Sequence, residues 1–210
     1  MNSPDLLDRV FPGRRSDLKR AILRQALHSF NVTGIEATTI EDIRSECGAS
    51  VGAIYHHFQS KEGLVAALFY AALDDQERLR DEYLSEAVTV EAGVIALVHS
   101  YVDWVDEQPG WAQFVLQARS VVSTGALKDE LALRNRQRNK KLFMWMTERG
   151  GASELAHIPT ELLPSLIIGQ SESYSRAWLS KRVENSPKRY RDLLARAAWD
   201  SIVKLEPHGE

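Results

Sequence analysis

Few folds can accommodate the stretch from Thr39 to Glu62. Thr39 suits the N-cap of a helix, because its hydroxyl can take an orphan amide of the first turn. Ile40 and Ile43 then form an i, i+3 apolar edge. Gly48 tolerates the left-handed backbone that ends such a helix. Ser50 caps a second helix whose Ile54 and Phe58 lie four apart on one face. Ser60 caps a third, with Lys61 and Glu62 leading into an apolar run. Helix, glycine-containing turn, helix is the helix-turn-helix layout, which sets its second helix in the major groove of DNA.

The remaining sequence reads as helix almost throughout, with no sustained period-two alternation between turn clusters. Residues 1–13, ending in Pro12-Gly13, read as a loose arm. A first helix spans about 15–32, with Leu18, Ile22, Ala26 and Phe30 in one row and Leu23 and Leu27 beside it, stopped by Gly34. The fourth helix, about 61–86, has an apolar half (Leu64, Val65, Leu68, Phe69, Ala72) and a polar half that leads out of the head. Further helices are expected over Val90–Glu107, stopped by Pro109-Gly110, and over about 111–122. Leu127–Arg149 makes a long one, ended by Gly150-Gly151, and Thr160–Arg182 another, with Pro164 near its first turn. The last starts at Pro187 as its N1 residue and reaches about Leu205. The expectation is an all-α chain of nine helices, a three-helix homeodomain-like head fused to a six-helix body.

Length, charge and cysteine use narrow the class. The hydrophobic fraction of 44% and charged fraction of 26% in 210 residues are ordinary for a globular protein. The single cysteine, Cys47, excludes an intramolecular disulfide and suits a reducing compartment. Asp5 and Asp8, without an apolar segment, do not fit a signal peptide, and the longest apolar run, Leu64–Leu73, is short of a span of ~20 residues. A cytoplasmic protein without membrane contact is expected. The net charge of −3 is unusual for a DNA binder, but Arg14, Arg15, Lys19, Arg20 and Arg24 cluster with Asp17 alone against them, on a face that phosphate could meet or that water simply solvates.

No catalytic constellation emerges. The chain has no phosphate loop, dinucleotide fingerprint or His-Glu-x-x-His pair. The neighbours His56 and His57 point about 100° apart on a helix and make a poor metal pair. An enzyme, a bound metal and a cofactor are all not expected.

The second helix of the motif, Val51–Phe58, is about 12 Å long. Its first residues are small: Val51 and Ala53 can meet thymine methyls, and Gly52 permits close backbone approach. His56 is the long polar side chain there that can read a base edge, so phosphate contacts should supply most of the affinity.

The run Thr-Thr-Ile, Gly-x-Ser, Gly-Ala-Ile-Tyr-His-His-Phe, Ser-Lys-Glu, from Thr38 to Glu62, resembles the signature of the TetR family of bacterial transcriptional regulators, over about residues 16–70. The resemblance implies a DNA-binding domain over 14–62 and an effector-binding and dimerisation domain over 63–210, bridged by helix four. It implies that Thr39, Tyr55, His57 and Lys61 hold phosphates, with Ser50 offering its amide and hydroxyl at a positive helix end. One such head reads only a few base pairs, so a homodimer on a palindromic operator is expected.

By the same resemblance the dimer forms through the last two helices, where Leu166, Gly169, Ser173, Ala177, Leu194, Ala198 and Ile202 are candidates; their apolar pattern alone fits an internal core equally well. The body is expected to bind an apolar or aromatic small molecule, with Tyr101, Trp104, Trp111, Phe114, Gln117, Trp145, Gln170 and Tyr174 as candidate pocket residues or ordinary core. The implied function is a sequence-specific repressor released by its effector. The rival is a helical ligand-sensing or interaction module that no longer binds DNA.

Overall fold

The computed structural model describes residues 5–124, 127–149, 155 and 158–204, and those residues form ten α-helices and two short 3-10 turns without a strand. The helices are α1 (Leu6–Val10), α2 (Asp17–Thr33), α3 (Ile40–Cys47), α4 (Val51–Phe58), α5 (Lys61–Glu86), α6 (Val90–Glu107), α7 (Pro109–Thr124), α8 (Lys128–Glu148), α9 (Leu163–Leu179) and α10 (Arg191–Val203). The chain divides into two compact units: residues 1–75 with 110–131, and residues 76–109 with 132–210.

In the first unit, Ile22, Leu23, Ala26 and Phe30 of α2 form a fully buried row that meets Ile43 of α3, Ile54 of α4 and Leu64 and Leu68 of α5 in one core. Leu18, expected in that row, is 42% exposed in the first turn of α2, which begins at Asp17. The Phe114 ring of α7 stacks on Phe30 at 5.9 Å, and Asn31 Nδ2 donates to the Gly110 carbonyl at 2.9 Å. The segment from Gly110 is thereby built into the same unit as α2.

The expected loose arm is instead a helix. Leu6 and Leu7 of α1 are fully buried, and Arg9 grips the buried carboxylate of Asp75 through Nε at 2.8 Å and Nη2 at 2.9 Å. A five-residue helix has no intrinsic stability; burial of two leucines and this ion pair hold it. The segment also answers the basic cluster of α2. Arg24 pairs with Asp5 at 2.8 Å and Asp8 at 3.0 Å, Arg20 with Asp8 at 2.9 Å and with Asp17, and Lys19 sits 4.0 Å over the Phe11 ring. Arg14 and Arg15 remain exposed at the 3-10 turn that precedes α2.

In the second unit α6 is the central element, capped by Thr89 Oγ1, which accepts from the Ala92 amide at 3.1 Å. Val94, Leu97, Val98 and Val102 of α6 pack with Met146 of α8, Ile167 of α9 and Ala195, Ala198 and Ile202 of α10. Gly93 admits the Trp145 ring so closely that a Cβ there would lie 2.3 Å from the indole. A polar seam crosses this core: the Tyr83 hydroxyl donates to Asp103 Oδ2 at 2.7 Å, and the Arg191 guanidinium pairs with the same oxygen. Burial, then that hydrogen bond, pushes the Tyr83 hydroxyl up to about 12.

Three further boundaries differ from expectation. α6 ends at Glu107 as expected, but Pro109 and Gly110 open α7 instead of preceding it, at a position where a proline needs no amide partner. Pro187 starts a 3-10 turn, Pro187–Tyr190, and α10 begins only at Arg191. α9 is shorter than Thr160–Arg182, with Pro164 in its first turn. The expected stop at Gly150-Gly151 and the end near Leu205 lie outside the described residues.

Candidate nucleic-acid interface

The motif is built from its caps. Thr39 Oγ1 accepts from the Asp42 amide at 3.2 Å while Asp42 Oδ2 accepts from the Thr39 amide at 2.8 Å, a reciprocal capping box. The Thr39 amide, then its hydroxyl, hold the Asp42 carboxyl below its usual range. α3 ends at Gly48, whose φ of 69° is left-handed. Ala49 is buried in the turn, and Ser50 Oγ then accepts from the Ala53 amide at 3.1 Å to start α4. Cys47 is half-buried beside the Arg44 carbonyl.

α4 covers Val51–Phe58, as its caps require, and two rows divide it. Ile54 and Phe58 are buried at 1% and 6% exposure, which fixes the rotation of the helix. That rotation turns Val51, Gly52, Tyr55, His56 and His57 to the surface and leaves Ala53 half-buried. Tyr55 is 48% exposed, so it is not part of the core. Tyr55, His56 and His57 make no hydrogen bond or ion pair among the described residues, and the two imidazoles meet edge to face at 5.4 Å. Three partnerless polar rings and a row of small residues therefore share one exposed helix face.

The candidate phosphate ligands separate by how free they are. The Ser50 hydroxyl accepts one amide and keeps its proton to donate. The Thr39 hydroxyl is committed to Asp42, donating to Oδ2 at 2.8 Å while accepting the amide. Lys61 Nζ donates to the Glu36 carbonyl at 3.0 Å and the Thr38 carbonyl at 3.1 Å, which leaves one N–H. Lys61 thus fastens the loop between α2 and α3 to the first turn of α5. Thr38, buried and donating to the Gly34 carbonyl at 2.7 Å, completes that loop.

Two determinants of this geometry had little signal in the sequence. Gln59 takes a left-handed φ of 64° to turn the chain from α4 into α5, where Ser60 Oγ caps the Gly63 amide at 3.1 Å. Gly63 lets the Phe58 carbonyl approach so closely that a Cβ would lie 1.9 Å from its oxygen. A glycine three residues past a serine cap was the one available hint.

The candidate effector residues are divided between the two units. Trp111, Phe114 and Gln117 belong to the first unit, where Phe114 is fully buried on Phe30. Tyr101, Trp104, Trp145, Gln170 and Tyr174 belong to the second. Trp104 is buried, Gln170 is exposed, and the Tyr174 hydroxyl donates to the Asn185 carbonyl at 3.1 Å. Among the dimer candidates, Ala198 and Ile202 point into their own unit's core at 1% and 0% exposure. Their stripe is an internal face. Leu166, Gly169, Ala177 and Leu194 are half-buried and Ser173 is exposed. No cluster of three or more metal-ligating side chains occurs among the described residues, and no described helix is long and apolar enough to cross a membrane.

Residues 22–68 match the family model described as bacterial regulatory proteins, tetR family. The head is thus similar to that of the TetR family. The transcriptional repressor KstR2 of Rhodococcus jostii is 34% identical over 94 residues, 45% of this chain and 44% of that protein. The transcriptional regulator UidR of Escherichia coli is 40% identical over 57 residues, 27% of this chain and 28% of that one. The match therefore spans less than half the length of these curated relatives. Over the fold as a whole, a TetR-family regulator from Marinobacter aquaeolei superposes with a TM-score of 0.74 at 22% identity, covering 90% of this chain and 97% of that one. KstR2 of Mycobacterium tuberculosis does so at 0.66 and 20% identity, covering 90% and 94%.

Proposed function

We propose that this protein is a sequence-specific DNA-binding transcriptional regulator that acts as a repressor, binds a palindromic operator as a homodimer and is released by a small molecule. The observation that carries this reading is the exposed face of α4, where Tyr55, His56 and His57 hold no partner of their own. A head kept only for structure has no use for three exposed polar rings beside small residues. The match of the head to the TetR model, and the description of KstR2 as a transcriptional repressor, support the same reading.

In this account α4 enters the major groove. Val51 and Ala53 meet thymine methyls, Gly52 lets the backbone close in, and His56 reads a base edge. Tyr55, His57, Ser50 and the remaining N–H of Lys61 take phosphates, and Thr39 contributes mainly by capping α3. The head over 14–62 binds DNA, while the body over 63–210 receives the effector and dimerises. The exposed and half-buried residues of α9 (Gly169, Ser173, Ala177) and Leu193 of α10, 66% exposed, supply the dimer surface in place of Ala198 and Ile202.

Tyr55→Phe and His56→Ala distinguish the roles within this reading. Tyr55→Phe removes a hydroxyl without an internal partner, so it should weaken all duplexes alike and leave thermal stability unchanged. His56→Ala should relax preference at one base position of each half-site. Unchanged binding in both variants would exclude α4 as the reading element.

A further inference from the structure

The second unit contains a recess of about 290 Å³ between the C-terminal half of α5 and α8. Its apolar wall is made by Leu84, Leu142 and Trp145. Four charged side chains line it as well: Arg80, Asp81, Lys141 and Arg149. Their charges are not equally answered. Arg80 pairs with Glu77 and Asp81 at 2.9 Å, and Lys141 pairs with Asp81 and lies 3.6 Å from Glu77. Two cations and two carboxylates therefore neutralise one another.

Arg149 is different. Its Nε donates to the Ala87 carbonyl at 3.1 Å, its Nη1 to the Trp145 carbonyl at 3.5 Å, and its guanidinium lies 4.1 Å over the Trp145 ring. No carboxylate faces it among the described residues, and Nη2 carries no hydrogen bond there. Carbonyls and an aromatic face orient a guanidinium without cancelling its charge. The recess thus combines an oriented, uncompensated cation with an apolar wall.

We propose that this recess binds an amphipathic organic anion, its carboxylate on Arg149 and its aliphatic or aromatic body against Leu84, Leu142 and Trp145. A cationic ligand would meet Arg149 and leave its charge unanswered. A purely apolar one would leave the guanidinium unpaired at the mouth. As an identification of the effector this rests on the regulator reading above; as a binding site it does not.

Calorimetric titration of the purified 210-residue chain with decanoate, decanol and decyltrimethylammonium is the test. Decanoate should bind tightest. Arg149→Gln should weaken decanoate about tenfold, the loss of one charge-assisted hydrogen bond, and leave decanol unchanged. Ser85 lies on the exposed rim, so Ser85→Phe should abolish binding by filling the recess while the melting temperature holds. Absence of binding, equal affinity for acid and ammonium, or unaltered decanoate binding in both variants would overturn the proposal. Fluorescence anisotropy of a bound duplex separates the two claims: decanoate held in the recess without any change in DNA affinity would remove the effector role and leave the site intact.

Discussion

The ammonium of Lys61 lies 3.0 Å from the carbonyl oxygen of Glu36, across 25 residues of chain, and so joins the first turn of α5 to the loop that delivers α3. A lysine at the edge of a DNA-binding face can neutralise phosphate or hold the protein together; here two carbonyl bonds give it the second task and leave one N–H for the first. Lys61→Met should flatten the salt dependence of DNA binding by about 0.9 in log–log slope, the loss of one phosphate contact. It should also lower head stability by roughly 1 kcal/mol through the lost carbonyl bonds. Equilibrium denaturation beside binding at several salt concentrations measures both; an unchanged slope with lowered stability would leave Lys61 a clamp alone.

Gly63 tests whether the α4–α5 junction sets the angle of the reading helix. A methyl group at this position meets a backbone oxygen at 1.9 Å, so the helices must separate. Gly63→Ala should cost about 1–3 kcal/mol, the range for forced overpacking, although alanine is the better helix former. Gly52→Ala, with only the Ser50 hydroxyl oxygen at 3.9 Å, should be stable and impaired only in DNA binding. Thermal melting and binding on the two variants compare them directly.

The N-terminal helix should matter more than its length suggests. Arg9→Met leaves the buried Asp75 carboxylate without its guanidinium and should destabilise the first unit by about 3 kcal/mol. Removing both charges with Arg9→Met and Asp75→Leu should recover much of that loss. A double mutant no more stable than Arg9→Met alone would contradict the assignment of the cost to the broken ion pair.

His99 gives the second unit a pH dependence. Burial, then the nearby Arg191 charge, holds its pKa below 6.5, against the opposing pull of Asp192 and Asp103. Its Nε2 lies 3.0 Å from Asp192 Oδ1, but Asp192 is largely in solvent, so this contact does not offset burial. The unfolded chain therefore takes up a proton at higher pH than the folded one. The stability that neutral His99 contributes is complete above its unfolded value and is lost as pH falls through the folded one. Denaturation midpoints should drop as pH falls below about 6.5, and His99→Gln should flatten that drop.

How far the sequence carried varies by element, and the reasons are local or non-local. The bounds of α4 followed from Ser50 and Phe58 because a cap and an i, i+4 apolar pair are properties of adjacent residues. α1 was invisible because Leu6 and Leu7 acquire meaning only from the core they enter and from Asp75, 66 residues beyond Arg9. Asp5 and Asp8 were hidden as partners of Arg20 and Arg24 for the same reason. An apolar stripe states that a face is buried but not against what, which is why Ala198 and Ile202 read equally well as interface and as core. The same ambiguity scattered the aromatic residues: Phe114 went to Phe30, Trp145 to Gly93, and the recess at Arg149 depends on helices far apart in sequence.

The central claim is that the face of α4 reads DNA as a symmetric pair. The most direct test is selection from a random duplex pool with the purified protein at two salt concentrations, followed by sequencing. The account predicts enrichment of a palindrome with two half-sites about one helical turn apart, weaker in total binding at higher salt but unchanged in sequence. A folded, dimeric protein that enriches no motif at either salt would contradict it.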